Sequence, residues 1–490
     1  MFRALSTTHA HQPAGKRLRR DKVAGIAILT ITLATLTSAT GCGNQYRPVV
    51  SAIGPVGPAG QPTKYAVAIS SPSPTSLGLV TVVDFAGDTV LSTPQILVDP
   101  SYFQINANGT QGYVINPEGS LNTFLLSNPT GLITSTVVQT TLPVNSLPIS
   151  ISAFTPASAV ASLFIPEADT NSIAAINSST AALYDNVGIV NGTNPVYVVG
   201  AQGTPRIYAI SQNSPGTNGQ IDSLEAVSTT TLSDSAQIPV GVKPVYGVMT
   251  ADDRRAFILN QGSGTVSVIN VPNNAPDANM PTITIPPIAV SGGGTVAPAP
   301  VWADLAPTNA ELVVLNKGDG VHPGTLSIIS IPLCNASAQA TNPNCSSTNP
   351  VDAAGFGTVL ATATVGINPT MVSVLQDGTA AYVINQGLST DTGLCAGAGS
   401  VSAVNLKTGQ VSATVCGISD STALASGSTT QNMIYGHPNS VSATTSTPTG
   451  KVYITSSDSK YLSVLYTDTN TVQTHIPLQG TGVRVLVTAP

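Results

Sequence analysis

Asn368-Pro-Thr-Met-Val-Ser-Val-Leu-Gln-Asp-Gly-Thr-Ala-Ala-Tyr-Val-Ile-Asn-Gln-Gly387, followed after a polar excursion by Gly399-Ser-Val-Ser-Ala-Val-Asn-Leu-Lys-Thr-Gly-Gln-Val-Ser-Ala-Thr-Val-Cys-Gly417, decides the fold. Turn signals at Asp377-Gly378, Asn385-Gln386-Gly387 and Lys407-Thr408-Gly409 cut it into four short, β-branched, alternating runs. Alternation with a period of two, broken by Gly- and Asn-containing turns, makes antiparallel hairpins, so this segment predicts a four-stranded meander.

The same pattern recurs outward from it. Apolar runs open on Pro100, Pro148, Pro195, Pro244, Pro300, Pro369 and Pro438, at spacings of 48, 47, 49, 56, 69 and 69 residues. Polar insertions at Cys334 to Asn349 and at about Ser419 to Gly436 lengthen the last two intervals. Second strands recur as Gly112–Asn116, Arg206–Ile210, Ala256–Asn260, Glu311–Asn316, Ala381–Asn385 and Val452–Thr455, and third strands as Gly264–Asn270, Gly324–Ile329 and Gly399–Asn405. A supersecondary unit repeated at such a period signals a propeller or solenoid. Tyr65 to Val98 supplies second, third and fourth strands with no first, and Gly482–Thr488 supplies a first strand with nothing after it. Joined, they form one blade that closes the ring and leaves no open edge. The expected fold is therefore all-β: a single propeller of four-stranded antiparallel blades, eight by this count. Seven is the alternative, with the Pro148 unit the least regular copy.

At these residues the chain resembles the YVTN family of β-propeller repeats. The resemblance rests on the Tyr-Val-Ile-Asn runs, on Thr265-Val-Ser-Val-Ile-Asn270, and on Val-Gly-x-x-Pro at Val240–Pro244 and Val365–Pro369, and it covers about Lys64 to Pro490. It implies the propeller fold and, through lactonase-like and quinoprotein-like relatives, admits an enzyme. Propellers host many activities, so the repeat names none.

Composition supports an all-β chain: 8% charged residues, 44 Gly and 37 Pro, with Val and Ile dominant and no sustained helical period. Six of 17 basic residues and one of 23 acidic residues precede Cys42, which leaves 11 basic against 22 acidic in the remainder. That balance argues against nucleic acid and against electrostatic docking on anionic membranes.

The N-terminus carries Lys16-Arg17-Leu18-Arg19-Arg20-Asp21-Lys22, an apolar run from Val23 to Leu36, and Ser38-Ala-Thr-Gly-Cys42. A basic region, an apolar region of this length and small residues before a cleavage point form an export signal. The last residues resemble the lipobox of bacterial lipoproteins, with Ala39 where Leu is commoner; the resemblance implies cleavage after residue 41 and a lipid on Cys42. Residues 42–63, alternating Pro and Gly, read as a tether, and residues 64–490 as the propeller. The expected location is a bacterial cell envelope, lipid-anchored and facing the periplasm or the surface.

Four further cysteines in an exported chain favour disulfides. Three pairings are open; Cys334 with Cys345 and Cys395 with Cys416 are the expected ones, since each pair flanks a single loop or hairpin. No Cys-x-x-Cys occurs and His322 is isolated, so neither metal nor other cofactor is expected.

No catalytic motif is present: there is no Gly-x-Ser-x-Gly, His-Glu-x-x-His or phosphate loop. First strands line a propeller's channel, so Tyr246, Trp302, Asp304 and Arg484 are candidate channel-mouth residues, together with His437 just before a blade-opening Pro. The aromatic pair reads either as core packing or as a stacking face for sugar. Asp252-Asp253-Arg254-Arg255 reads as a solvated turn, and Asn116, Asn260, Asn316 and Asn385 as turn-forming residues. Three functions remain: a monomeric binding or scaffold module for envelope proteins or glycans; a lactonase-like or quinoprotein-like enzyme; and a purely architectural surface protein.

Overall fold

The computed structural model describes residues 64–157, 161–228, 231–306, 308, 310–333, 354–390, 393–395, 397–425, 432–446 and 449–489. The signal, Cys42, the tether and the Cys334–Cys345 pair lie outside them. Eight antiparallel blades form the ring. Blade 1 is composite: the C-terminal strand Thr481–Val487 pairs with Tyr65–Ser71, which pairs with Leu77–Asp84, whose outer partner is split into Val90–Ser92 and Gln95–Val98. Blades 2 to 8 begin at Tyr102–Ile105, Ser152–Ala153, Pro195–Val199, Pro244–Met249, Pro300–Ala306, Pro369–Val374 and Pro438–Thr444, and each continues outward. The irregular Pro148 unit is a real blade with a short first strand, helped by a bridge between Pro148 and Glu167. The long Pro244 interval holds an extra hairpin, Ile288–Ala289 with Thr295–Val296.

The repeat phrases have physical meanings. The residue before the blade-opening Pro adopts positive φ at Asp99, Leu147, Asn194, Lys243, Ala299 and Asn368, which swings the chain from one blade's rim to the next blade's centre. In blades 4 to 8 the pairing register slips immediately after that Pro, and in blade 1 it slips after Gly482. Such a bulge re-aims the following side chain. It also breaks the single face that strict alternation would give Val483, Val485 and Val487: Val485 and Val487 pack toward blade 8, whereas the bulged Val483 packs toward blade 2.

At the repeat positions of Tyr-Val-Ile-Asn, a buried Tyr of the second strand bonds the next blade in blades 4, 7 and 8, whereas Tyr113 in blade 2 donates to Gln111 of its own strand. Tyr208, Tyr382 and Tyr453 donate their hydroxyls to Asn274, Asn470 and Asp88 at 3.2, 2.9 and 3.5 Å. The Asn was expected to shape a turn, and Asn116 does so by accepting the Ser120 N–H. Asn260, Asn316 and Asn385 instead are fully buried and clamp the third strand, each amide donating to two hydroxyls: Thr265 and Ser267, Thr325 and Ser327, Ser400 and Ser402. An enclosed amide must find partners; the third strands facing Asn260, Asn316 and Asn385 offer two hydroxyls, whereas blade 2 has Asn122 in place of the second and Asn116 donates to the Val98 carbonyl. The Gly of Val-Gly-x-x-Pro is required by the same Asn: a Cβ at Gly241 or Gly366 would come within 2.7 or 2.6 Å of Asn260 or Asn385 Cγ.

Eight apolar clusters of described residues lie one between each pair of neighbouring blades, so the core is distributed around the ring. The closing interface adds charge. Lys451 of blade 8, 5% exposed, meets Asp88 of blade 1 at 2.8 Å and donates to the Phe85 carbonyl. The Asp252–Arg255 cluster is only partly a solvated turn: Arg255 points inward and pairs with Asp277 at 2.7 Å, each 2% exposed. Its alternation within the strand, not its charge, sets its direction. The insertion before Pro438 is also more than a loop, since it holds a helix at Asp420–Ala425 and a strand, Ile434–Tyr435, that pairs in parallel with Gln410–Ile418. The expected disulfide between Cys395 and Cys416 is present, with Cα atoms 5.2 Å apart.

Candidate binding site in the central channel

In seven of the eight blades one residue of the first strand, set by the bulge in all of them but blade 2, stands at a common level opposite the second-strand motif. These pairs are Arg484 with Ile69, Tyr102 with Ile115, Tyr197 with Ile210, Tyr246 with Leu259, Trp302 with Leu315, Met371 with Ile384 and Ser440 with Thr455. Three of the predicted channel residues therefore stand in one layer. Tyr246 stacks on Trp302 at 4.2 Å between centroids, and Tyr197 lies against Tyr246 at 4.5 Å. The Arg484 guanidinium sits 4.0 Å from the Tyr102 ring and 5.4 Å from the Trp302 ring. Blades 1 and 6 are not neighbours, so the Arg484–Trp302 contact crosses the channel.

Asp304 lies two residues further along, nearer the hairpins that join first and second strands. Its Oδ2 accepts the Val374 N–H of the next blade at 2.9 Å and its Oδ1 accepts the Leu305 N–H at 2.8 Å. Burial pushes its carboxyl up to about 6, against the pull of those two backbone bonds. It makes no ion pair with Arg484. Burial also holds the Tyr197 and Tyr246 hydroxyls above their ordinary value, so both remain neutral donors.

At this end of the channel a cavity of about 380 Å³ opens over the layer. Tyr197 and Tyr246 form its aromatic wall, and Gln104, Ser152, Gln202 and Asp304 supply polar groups. The polar side chains come from blades 2, 3, 4 and 6, so the site exists only in the closed ring.

His437 is not part of this site. Its Nδ1 pairs with Asp458 Oδ2 at 2.7 Å in an exposed pair before Pro438, at the start of the first strand. His322 makes the same arrangement with Asp319, and His475 is stacked on Tyr435 in blade 8, where burial lowers it to about 4. Sequence reading missed Tyr102 and Tyr197, although both stand two residues after a blade-opening Pro, the position shared by Tyr246 and Trp302.

No known family profile and no curated protein matches this chain. Solved structures do. AztD from Citrobacter koseri, in its apo form, matches with a TM-score of 0.52 and 10% identity over 86% of this chain and 97% of its own. The dihydro-heme d1 dehydrogenase NirN, solved in complex with DHE, matches with a TM-score of 0.55 and 11% identity over 87% and 75%. A putative 6-phosphogluconolactonase from Bacteroides fragilis matches with a TM-score of 0.47 and 12% identity over 88% and 99%. At these identities the likeness is one of fold.

Proposed function

We propose that this protein is a binding module of a bacterial envelope, anchored by a lipid on Cys42, that takes a glycan at the channel cavity. The observation that carries the reading is the meeting of aromatic side chains with polar groups drawn from four blades. A sugar ring presents an apolar C–H face and a rim of hydroxyls, and Tyr197 and Tyr246 beside Gln104 and Gln202 complement both. Binding of the full chain to arrayed bacterial glycans tests it: a set of saturable ligands is expected, and Tyr246→Ala is expected to abolish their binding. Ligands retained in full by Tyr246→Ala would place the site elsewhere. Anchoring is tested separately, since Cys42→Ala should move the protein from the detergent phase to the soluble fraction; unchanged partitioning contradicts the lipid.

The raised carboxyl of Asp304 favours a second reading, a lactonase-like hydrolase with Asp304 as general base. Both its oxygens already accept backbone N–H groups, so it ranks behind binding. Lactone hydrolysis abolished by Asp304→Asn would reverse that order.

A further inference from the structure

Arg484 is the one charged side chain in the aromatic layer, and its surroundings use only part of its chemistry. The guanidinium carbon lies 4.0 Å from the centre of the Tyr102 ring and 5.4 Å from that of Trp302, and both ring quadrupoles attract the cation. Its N–H groups point within the guanidinium plane, along its edge. No described acceptor meets that edge: Arg484 makes no side-chain hydrogen bond and no ion pair, and its Nε is buried without a partner. Asp304, two residues beyond Trp302 on the same strand, is occupied by Leu305 and Val374. A protein whose mature part has twice as many acidic as basic side chains thus keeps a guanidinium without a counter-charge at its axis. A planar donor fork of this kind matches a carboxylate through two parallel bonds.

Resting on the glycan reading above, we infer that the channel selects acidic sugars, with the ring stacked against the Tyr197 and Tyr246 wall and the carboxylate bridging the N–H edge of Arg484. The ligand class is the uronates. Neutral sugars share the stacking but leave the guanidinium unpaired.

Trp302 is the only tryptophan of the chain and touches both Tyr246 and Arg484, so its emission reports this layer directly. The full chain is titrated with glucuronate and, in parallel, with glucose. Glucuronate is expected to change the emission saturably, with glucose about tenfold weaker or worse, the effect of losing a charge-assisted pair. Arg484→Met should bring the two sugars level, and Arg484→Lys, which keeps the charge but not the fork, should fall between. Equal responses of the native chain to both sugars overturn the inference and leave glycan binding standing. A preference for glucuronate that survives Arg484→Met, or a native chain blind to glucuronate, also overturns it. Because the two probes are compared on the native chain, a variant that fails to fold does not remove the test.

Discussion

Where blades 4, 5 and 6 place Tyr197, Tyr246 and Trp302, blades 7 and 8 place Met371 and Ser440 at the same register. An innermost strand has one edge without a sheet partner, and its backbone groups still need bonds. On the side of blades 7 and 8, hydroxyls meet that need: Ser373 accepts the Ala443 N–H, Ser440 accepts the Val485 N–H and donates to its carbonyl, and Ser442 accepts the Val487 N–H. Blade 3 behaves likewise, with Ser150 and Ser152 donating to the Val196 and Val198 carbonyls of blade 4. On the side of blades 4 to 6 large rings stack on one another, and Asp304 laces blade 6 to blade 7. The ring is thus sewn by small polar side chains in one sector and offers aromatic surface in the other. The difference separates a stability role from a recognition role within a single layer.

The largest effect should come from cutting where the two sectors meet. Deleting Gly482 to Pro490 removes Arg484 and strips Ser440 and Ser442 of their partners in blade 1. It also removes the fully buried Val485, worth roughly 1.5 to 3 kcal/mol by itself. The truncated chain is expected to aggregate or be degraded, whereas deleting Gly43 to Pro58 should leave the melting temperature unchanged. A truncated chain that melts like its parent disproves the closure.

Next in size is the bridge in blade 7. Cys395 and Cys416, 21 residues apart, close a loop worth about 3 kcal/mol in the chain-entropy model. Urea denaturation with and without reductant should differ by that amount, and coincident curves would show that the bond contributes nothing. Glycan binding should be retained, because the bridge lies outside the aromatic sector.

A pair of point variants sharpens the contrast itself. Ser440→Ala leaves the Val485 N–H buried and unpaired, at about 1 to 3 kcal/mol, and should spare binding. Tyr246→Ala should remove binding. If both variants lose stability alone, the division between sectors is wrong.

The smallest effect is pH-dependent. Asp304 is raised from 3.8 to about 6 in the folded chain, so the folded state holds its proton more tightly than the unfolded state does. Its contribution is complete below the unfolded value and is lost as pH rises through the folded one. Comparing the parent with Asp304→Asn between those values should therefore show stability falling with pH more steeply in the parent. Parallel profiles would show that Asp304 does not titrate in this window.

The strands and the blade-opening prolines were legible because alternation and turns are local properties, written within a few residues of each other. Ring closure was legible too, since an orphan first strand at one end complements a blade lacking one at the other. The Tyr-Val-Ile-Asn phrase was visible as a repeat, but its meaning was not: in blade 7 Tyr382 bonds a turn in the next blade, and Asn385 clamps hydroxyls on the neighbouring strand. Arg255 was misread for the same reason, because its partner Asp277 lies beyond the following strand.

Sequence by itself determined the class and favoured eight blades over seven, and it marked Tyr246, Trp302 and Arg484 as facing the axis, for the period-two pattern and the blade-opening Pro are carried by each unit alone. Only the tertiary structure decided which of those positions meet. Arg484 reaches Tyr102 and Trp302 because closure brings residue 484 beside residue 102 and across from residue 302, over distances no local pattern encodes. Whether a side chain at the axis finds a hydroxyl, a ring or no acceptor at all depends on the opposite blades, and that is a property of the closed ring.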